Sequence, residues 1–249
     1  MLRARILYMF LLFVFGAMPA MAEDTLKAAV AANFIAPFEE LAAQYQRQTG
    51  VKVEATFTSS GKLYAQIVNG APFDLFLSAD EDRPRKLADK GLCGTPFVYA
   101  KGRVVLFTTR KDLCGAKDWL SIVTRADVKK LAVANPETAP YGAAAKKALE
   151  QTNLWETLQP RLVFPQDIAQ AFQYAGTGAT DAGFCALSSA LTKEGAKGCY
   201  LPVPQAPAIV QSGCLLTASP HKVQSEKFTA FLNSPEALKI IQRFGYTRD

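Results

Sequence analysis

Apolar and polar positions alternate between the period of strands and the period of helices from residue 26 onward. The first third of the chain contains three apolar or alternating runs, each followed by an amphipathic helical pattern that ends near a glycine. The predicted strands are 26–32, 51–57 and 73–80, and the predicted helices are 36–50, 61–70 and 81–91. This βαβαβα order predicts a mainly parallel sheet covered by helices on both faces.

A second α/β block follows the first. Its predicted strands are 103–109, 181–187 and 212–218, together with a strand followed by a turn within 129–137, and its predicted helices are 142–152 and 167–176. Two more helices are predicted at the end of the chain, at 222–234 and 235–245, with no further sheet to cover. Blocks of this size predict two lobes, residues 23–101 with 217–249 and residues 102–216, joined by two chain crossings that form a hinge.

The first 22 residues have the pattern of a cleaved signal peptide. Arg3 and Arg5 precede an apolar run over 6–15, and a small-x-small motif ends at Ala22. The alternative, a membrane anchor, is disfavoured because the run is short for a membrane span. We therefore expect an exported protein, located in the periplasm.

Charge adds little evidence for a macromolecular partner. The net charge of +6 falls to +4 without the two arginines of the signal peptide, and the basic residues are spread along the chain. A nucleic-acid partner is therefore not predicted.

Five cysteines lie in the exported part of the chain, so disulfides are possible but at least one thiol stays free. They are Cys93, Cys114, Cys185, Cys199 and Cys214. Cys93 and Cys114 lie in similar turn-like settings and are candidates to pair, whereas Cys185 reads as a buried strand residue. No CxxC motif or Cys/His cluster is present, so neither a zinc site nor a redox site is predicted.

Four strand-to-helix corners carry the groups that bind anions. Asn33 follows the first strand, "FTSSGKLYAQI" places Ser59, Ser60 and Gly61 at the second corner, Tyr141 opens a helix with Gly142, and Asp167 precedes Ile168. Each corner taken alone is also explained by helix capping. In parallel α/β sheets, however, all such corners point to the same edge, where ligands bind. Two facing lobes would therefore direct all four toward one cleft, suited to a small tetrahedral dianion held by uncharged donors.

Three stretches carry a resemblance to a known family. "GVKVEATFTSSGKLYAQIVNGAPFDLFLSAD", "NPETAPYGAAAKKAL" and "ATDAGFCAL" resemble the periplasmic molybdate-binding proteins of ABC transporters, and the likeness extends from about residue 24 to residue 245. The resemblance implies an α/β fold with two lobes and the ligand in the cleft between them. It further implies a monomer without catalytic activity or cofactor, which binds molybdate or tungstate and delivers it to a membrane permease.

The resemblance also implies the binding residues. Ser60 matches the family's binding serine, Tyr141 and Ile168 match positions whose main-chain N–H donates to the oxyanion, and Asn33 matches a branch with asparagine at the first corner. The metal is held only as its oxyanion, with no direct protein ligand. Many members also use a tyrosine hydroxyl where this chain has Ala186. The loss of that donor motivates the hypothesis that the hydroxyl of Tyr141 compensates for it.

Two other classes of function compete with this interpretation. The S-x-x-K spacing from Ser59 to Lys62 occurs in serine hydrolases, but the SDN and KTG motifs are absent and the only histidine, His221, reads as a solvated loop residue. A binding protein for sulfate, phosphate, a ferric complex or an organic anion is the nearer alternative, because sequence does not measure the size of the donor cage.

Overall fold

A computed structural model of the chain describes residues 25–248, so the predicted signal peptide lies outside the described residues. Two five-stranded sheets form the centres of two lobes. The strands of lobe 1 are β1 (Leu26–Ala31), β2 (Val53–Thr58), β3 (Leu75–Leu77), β4 (Phe97–Gly102) and β10 (Ile209–Leu215). The strands of lobe 2 are β5 (Val104–Thr108), β6 (Leu131–Ala132), β7 (Leu162–Val163), β8 (Ala182–Ala186) and β9 (Cys199–Pro202).

Helices cover the faces of both sheets, as the alternating pattern predicts. They are α1 (Ile35–Thr49), α2 (Ser60–Val68), α3 (Asp82–Asp89), α4 (Trp119–Val123), α5 (Pro140–Gln151), α6 (Trp155–Leu158), α7 (Ile168–Gly176), α8 (Leu187–Ala190), α9 (Lys222–Phe231) and α10 (Pro235–Arg243). Gly50 ends α1 with a left-handed φ of 76°, and Ser234 caps α10 directly before Pro235. Within residues 25–248, none of the helices has the length and apolar character that crossing a membrane requires.

The two sheets share one topology. Their strand orders are β2-β1-β3-β10-β4 and β7-β6-β8-β5-β9, and in each sheet the fourth strand runs antiparallel to its neighbours. That fourth strand is the one that enters from the other lobe, since β5 follows β4 and β10 follows β9. The predicted fold class, two mainly parallel sheets with flanking helices, is confirmed.

The second crossing comes earlier in the chain than the sequence predicted. Strand β10 was assigned to lobe 2, within 102–216, yet its residues pair with β3 and β4 in lobe 1. The return to lobe 1 therefore lies between β9 and β10, at 203–208. The apolar strand pattern could not reveal this, because a buried strand looks the same in either sheet.

Each lobe has its own apolar core. In lobe 1 the C-terminal helices return to the first sheet, as predicted, and Phe228 of α9 packs against Phe38 and Tyr45 of α1 with ring centroids 5.9 and 5.1 Å apart. In lobe 2 the rings of Trp119 and Phe184 meet edge to face at 5.6 Å. These cores hold the sheet edges that carry the four corners.

The disulfide joins Cys114 to Cys199, with Cα atoms 5.7 Å apart, so the proposed pairing of Cys93 with Cys114 is wrong. Strand β9 pairs with β5 so that Cys199 lies opposite Thr108, close to the turn that contains Cys114. Cys93 instead lies in lobe 1, in a cluster with Cys214. Cys93, Cys185 and Cys214 are buried free thiols, which confirms the prediction for Cys185.

Candidate functional site

The four predicted corners lie at the carboxyl ends of parallel strands and face one another. Asn33 lies in a short 3-10 helix after β1, and Ser60 begins α2 after β2. Tyr141 lies in the first turn of α5, and Ile168 begins α7 after β7. The first two belong to lobe 1 and the other two to lobe 2. All four residues thus lie at the sheet edges, where the sequence predicts them.

One small buried cavity between the lobes is lined by all four of these residues. Its volume is about 10 Å³. Its complete lining is Ala31, Ala32, Asn33, Ser59, Ser60, Ala79, Ala139, Pro140, Tyr141, Asp167 and Ile168. The lining includes no lysine or arginine, so a bound anion would be held by hydroxyls, main-chain N–H groups and helix dipoles.

Ser60 has the geometry of a hydroxyl donor. Its side chain is fully buried, and its Oγ accepts a hydrogen bond from the main-chain N–H of Ala79 at 2.9 Å. That bond fixes the oxygen and leaves the hydroxyl proton for a ligand in the cavity. Ser60 also begins α2, where the first N–H groups have no partner within the helix.

Asn33 uses its side-chain amide for hydrogen bonds within the protein. Its Nδ2 donates to Gln211 Oε1 at 2.7 Å and to the hydroxyl of Tyr246 at 2.9 Å. Its main-chain oxygen accepts from Tyr246 at 2.8 Å and from Ser188 Oγ at 2.7 Å. Both amide protons therefore bind protein groups, so the side chain fixes the corner in place.

Tyr141 differs from its predicted role in one respect. Its hydroxyl is buried against lobe 1, where it accepts a hydrogen bond from Gln211 Nε2 at 3.3 Å and fills the space beside Gly102. A Cβ at Gly102 would lie 1.9 Å from this hydroxyl. The expectation that the hydroxyl replaces the donor missing at Ala186 does not fit this geometry, and only the main-chain N–H of Tyr141 remains as a candidate donor.

Gly142 has a packing role that the sequence did not reveal. A Cβ at this position would lie 1.9 Å from the main-chain oxygen of Ala134, so glycine lets the start of α5 lie directly against the end of the preceding strand. This packing alone explains the glycine.

Asp167 caps α7, as predicted. Its carboxylate accepts from the main-chain N–H of Gln170 at 3.0 Å and is almost fully buried. The N–H groups of Ile168 and Ala169 are left at the positive end of the helix dipole, facing the lobe boundary. The main-chain N–H of Ile168 thus stays a candidate donor.

Behind the cavity, a buried network of hydrogen bonds connects the two lobes. Gln211 is its centre, because its Oε1 accepts from Asn33 and from the hydroxyl of Tyr99 at 2.9 Å while its Nε2 donates to Tyr141. Burial raises the pKa of Tyr99, Tyr141 and Tyr246 above the ordinary value, so the network stays uncharged. Sequence reasoning missed Gln211; a polar residue within a buried strand is the signal that could have found it.

At the rim of the cavity, the lobes touch directly. The main-chain N–H of Gly61 donates to the oxygen of Thr138 at 2.9 Å, and Lys62 Nζ donates to Gln166 Oε1 at 2.6 Å. Arg83 also reaches across, to the main-chain oxygen of Glu137 at 3.2 Å. The structure is therefore a closed form, with the cavity covered on this side.

The groups that a hydrolase would need are separated. Lys62, of the S-x-x-K spacing, points across the rim to Gln166. His221 binds Asp74 through Nδ1 at 3.1 Å, and Ser219 donates to the same carboxylate oxygen at 2.6 Å. The carboxylate, not the imidazole, is central in this cluster, so it lacks the order of a catalytic triad. His221 is partly buried and paired, unlike the solvated loop residue that was predicted.

The fold and the cavity define a two-lobed binding protein whose ligand site lies between the lobes. The chain belongs to the family of bacterial extracellular solute-binding proteins, whose family model matches residues 26–247. It is 39% identical over 238 residues to the molybdate-binding protein ModA of Rhodobacter capsulatus, covering 94% of this chain and 92% of that one. It is 37% identical over 223 residues to the ModA of Azotobacter vinelandii, covering 88% of each. The solved structure of the periplasmic molybdate-binding protein of Azotobacter vinelandii superposes with a TM-score of 0.84 at 34% identity, covering 90% of this chain and 99% of that chain.

Proposed function

We propose that this protein captures molybdate, and also tungstate, in the cavity between its lobes and delivers it to the permease of an ABC transporter. The observation that carries the proposal is the convergence of four helix-start corners on one buried cavity without a cationic side chain. The molybdate-binding proteins of Rhodobacter capsulatus and Azotobacter vinelandii, similar over most of this chain, support the choice of ligand.

Recognition in this proposal depends on fixed donors that need no counter-charge. The Ser60 hydroxyl and the N–H groups at the starts of the helices direct positive dipole ends at a doubly negative guest. Because Ser60 belongs to lobe 1 and Tyr141 and Ile168 belong to lobe 2, only the closed form contacts all sides of the anion. Ligand binding would therefore favour closure. The protein would act as a monomer in the periplasm and present the closed form to the membrane.

A thermal-shift panel tests the ligand. Molybdate, tungstate, sulfate and phosphate are each added to the purified protein without its signal peptide. At about 1,000 times the dissociation constant, binding stabilises the folded state by about 4 kcal/mol, which for a protein of this size raises the melting temperature by roughly 10 °C. Molybdate and tungstate should produce this rise. A rise with sulfate or phosphate alone would contradict the proposal.

Ser60→Ala tests the site itself. The variant loses a donor to the anion and leaves the buried N–H of Ala79 without its acceptor, so both affinity and stability should fall. Calorimetric titration with molybdate should show affinity lower by about 10-fold or more, while circular dichroism keeps the signal of a folded chain. Unchanged affinity would remove Ser60 from the site.

A further inference from the structure

Ser59 has a buried hydroxyl without a hydrogen-bond partner. The side chain is 3% exposed, and its Oγ contacts no donor or acceptor within the described part of the chain. Ser59 occupies the N-cap position of the nine-residue helix α2, where serine normally accepts an N–H from the first turn, yet it makes no such bond. Buried polar groups nearly always have partners, so this exception requires an explanation.

The position of Ser59 explains why its buried hydroxyl has no protein partner. Four side chains within residues 25–248 have buried polar atoms without partners: Ser59, Thr138, Thr180 and Ser225. Of these, only Ser59 lines the cavity between the lobes, next to Ser60 and Ala79. The Oγ of its neighbour Ser60 already accepts a hydrogen bond from the main-chain N–H of Ala79. Two adjacent hydroxyls therefore border the same cavity, one with a protein partner and one without.

We infer that Ser59 is a further ligand-binding residue, whose hydroxyl donates a hydrogen bond to an oxygen of the bound oxyanion. The inference rests on the proposed function and extends it to a donor outside the set of Asn33, Ser60, Tyr141 and Ile168. A hydroxyl that neither caps its helix nor binds another protein group keeps its proton for the guest. A hydrogen bond from such a donor to a charged acceptor is stronger than one between neutral groups.

Ser59→Ala separates this role from a structural one, because the hydroxyl has no protein partner to lose. The affinity for molybdate, measured by calorimetric titration, should fall about 10- to 100-fold. The melting temperature of the ligand-free variant should equal or exceed that of the wild type. Ser60→Ala, in contrast, should lower both quantities, since its oxygen accepts from Ala79.

Ser225→Ala is the matched control. Ser225 is fully buried and equally without a partner, but it lies in α9, away from the cavity. Its removal should leave the affinity for molybdate unchanged. Ser59→Gly is the second variant, because glycine is well tolerated at an N-cap and also removes the hydroxyl.

The outcomes are distinguishable. If the wild type binds molybdate tightly and both Ser59 variants bind equally well, the inference is overturned and the proposed function stands. If Ser225→Ala weakens binding as much as Ser59→Ala, the effect is general and the inference is again overturned. If the wild type binds none of the four anions of the thermal-shift panel, the proposed function fails first, and the role of Ser59 fails with it.

Discussion

The disulfide between Cys114 and Cys199 should provide much of the stability of lobe 2. It closes a loop of 85 residues, which contains α4 to α8 and therefore both Tyr141 and Ile168. The chain-entropy relation for a loop of this length gives about 4–5 kcal/mol at 25 °C. A domain is typically stable by only about 5–15 kcal/mol, so this contribution is large.

The double variant Cys114→Ser/Cys199→Ser measures the contribution of this disulfide to stability. Urea unfolding should show a loss of about 4–5 kcal/mol, and the melting temperature should fall by roughly 10–15 °C. A reductant should lower the stability of the wild type to that of the double variant. The same reductant should not affect the double variant, whose remaining thiols are buried and form no disulfide. A loss below about 1 kcal/mol would refute the loop-entropy reasoning, since it would lie far under the calculated contribution.

Further predictions concern the contacts between the lobes. Gly61→Ala should weaken molybdate binding by about 10-fold or more. The reason is that the added Cβ would lie 2.9 Å from the main-chain oxygen of Thr138 in the closed form. An affinity equal to that of the wild type in calorimetric titration would contradict this prediction. The neighbouring Lys62→Met removes only an exposed bond to Gln166 and, as the matched control, should change the affinity by less than about threefold. Gln211→Met should lower the free energy of unfolding by about 2–3 kcal/mol, because buried partners lose hydrogen bonds; a urea midpoint like that of the wild type would show that the network adds no stability.

The positions of the site residues could be predicted because they follow from sheet geometry. The C-terminal edge of a parallel strand is fixed by the strand itself, so locating β2 also located Ser60 at the edge. Tyr141 likewise opens the helix that follows the predicted strand near 129–137, whereas Ile168 was located by Asp167 as the N-cap of its helix, because the short strand β7 before it was not predicted. At these three corners, the groups assigned to ligand binding are main-chain N–H groups or a short side chain. Such groups reach few alternative hydrogen-bond partners.

The partners of longer side chains could not be predicted in this way. Asn33 and Tyr141 reach back from the cavity to Gln211, which lies in the strand that enters from the other lobe. From the sequence, that strand was assigned to lobe 2. Gln211, which binds both Asn33 and Tyr141, was therefore assigned to the wrong sheet. The disulfide was missed for a related reason, because β9 was not recognised and its pairing with β5 brings Cys199 to the turn with Cys114.

The buried network and the cavity depend on the same closure of the lobes. Gln211 belongs to lobe 1 and binds Tyr141 of lobe 2, so this bond exists only when the lobes meet. The same approach brings the N–H of Gly61 to Thr138 at the rim. An open form would expose the network to water, which can replace each of these bonds at little net cost. The polar contacts between the lobes therefore define the geometry of the closed form more than they favour closure over opening. Under the proposed function, the bound anion would supply the difference in free energy that favours closure.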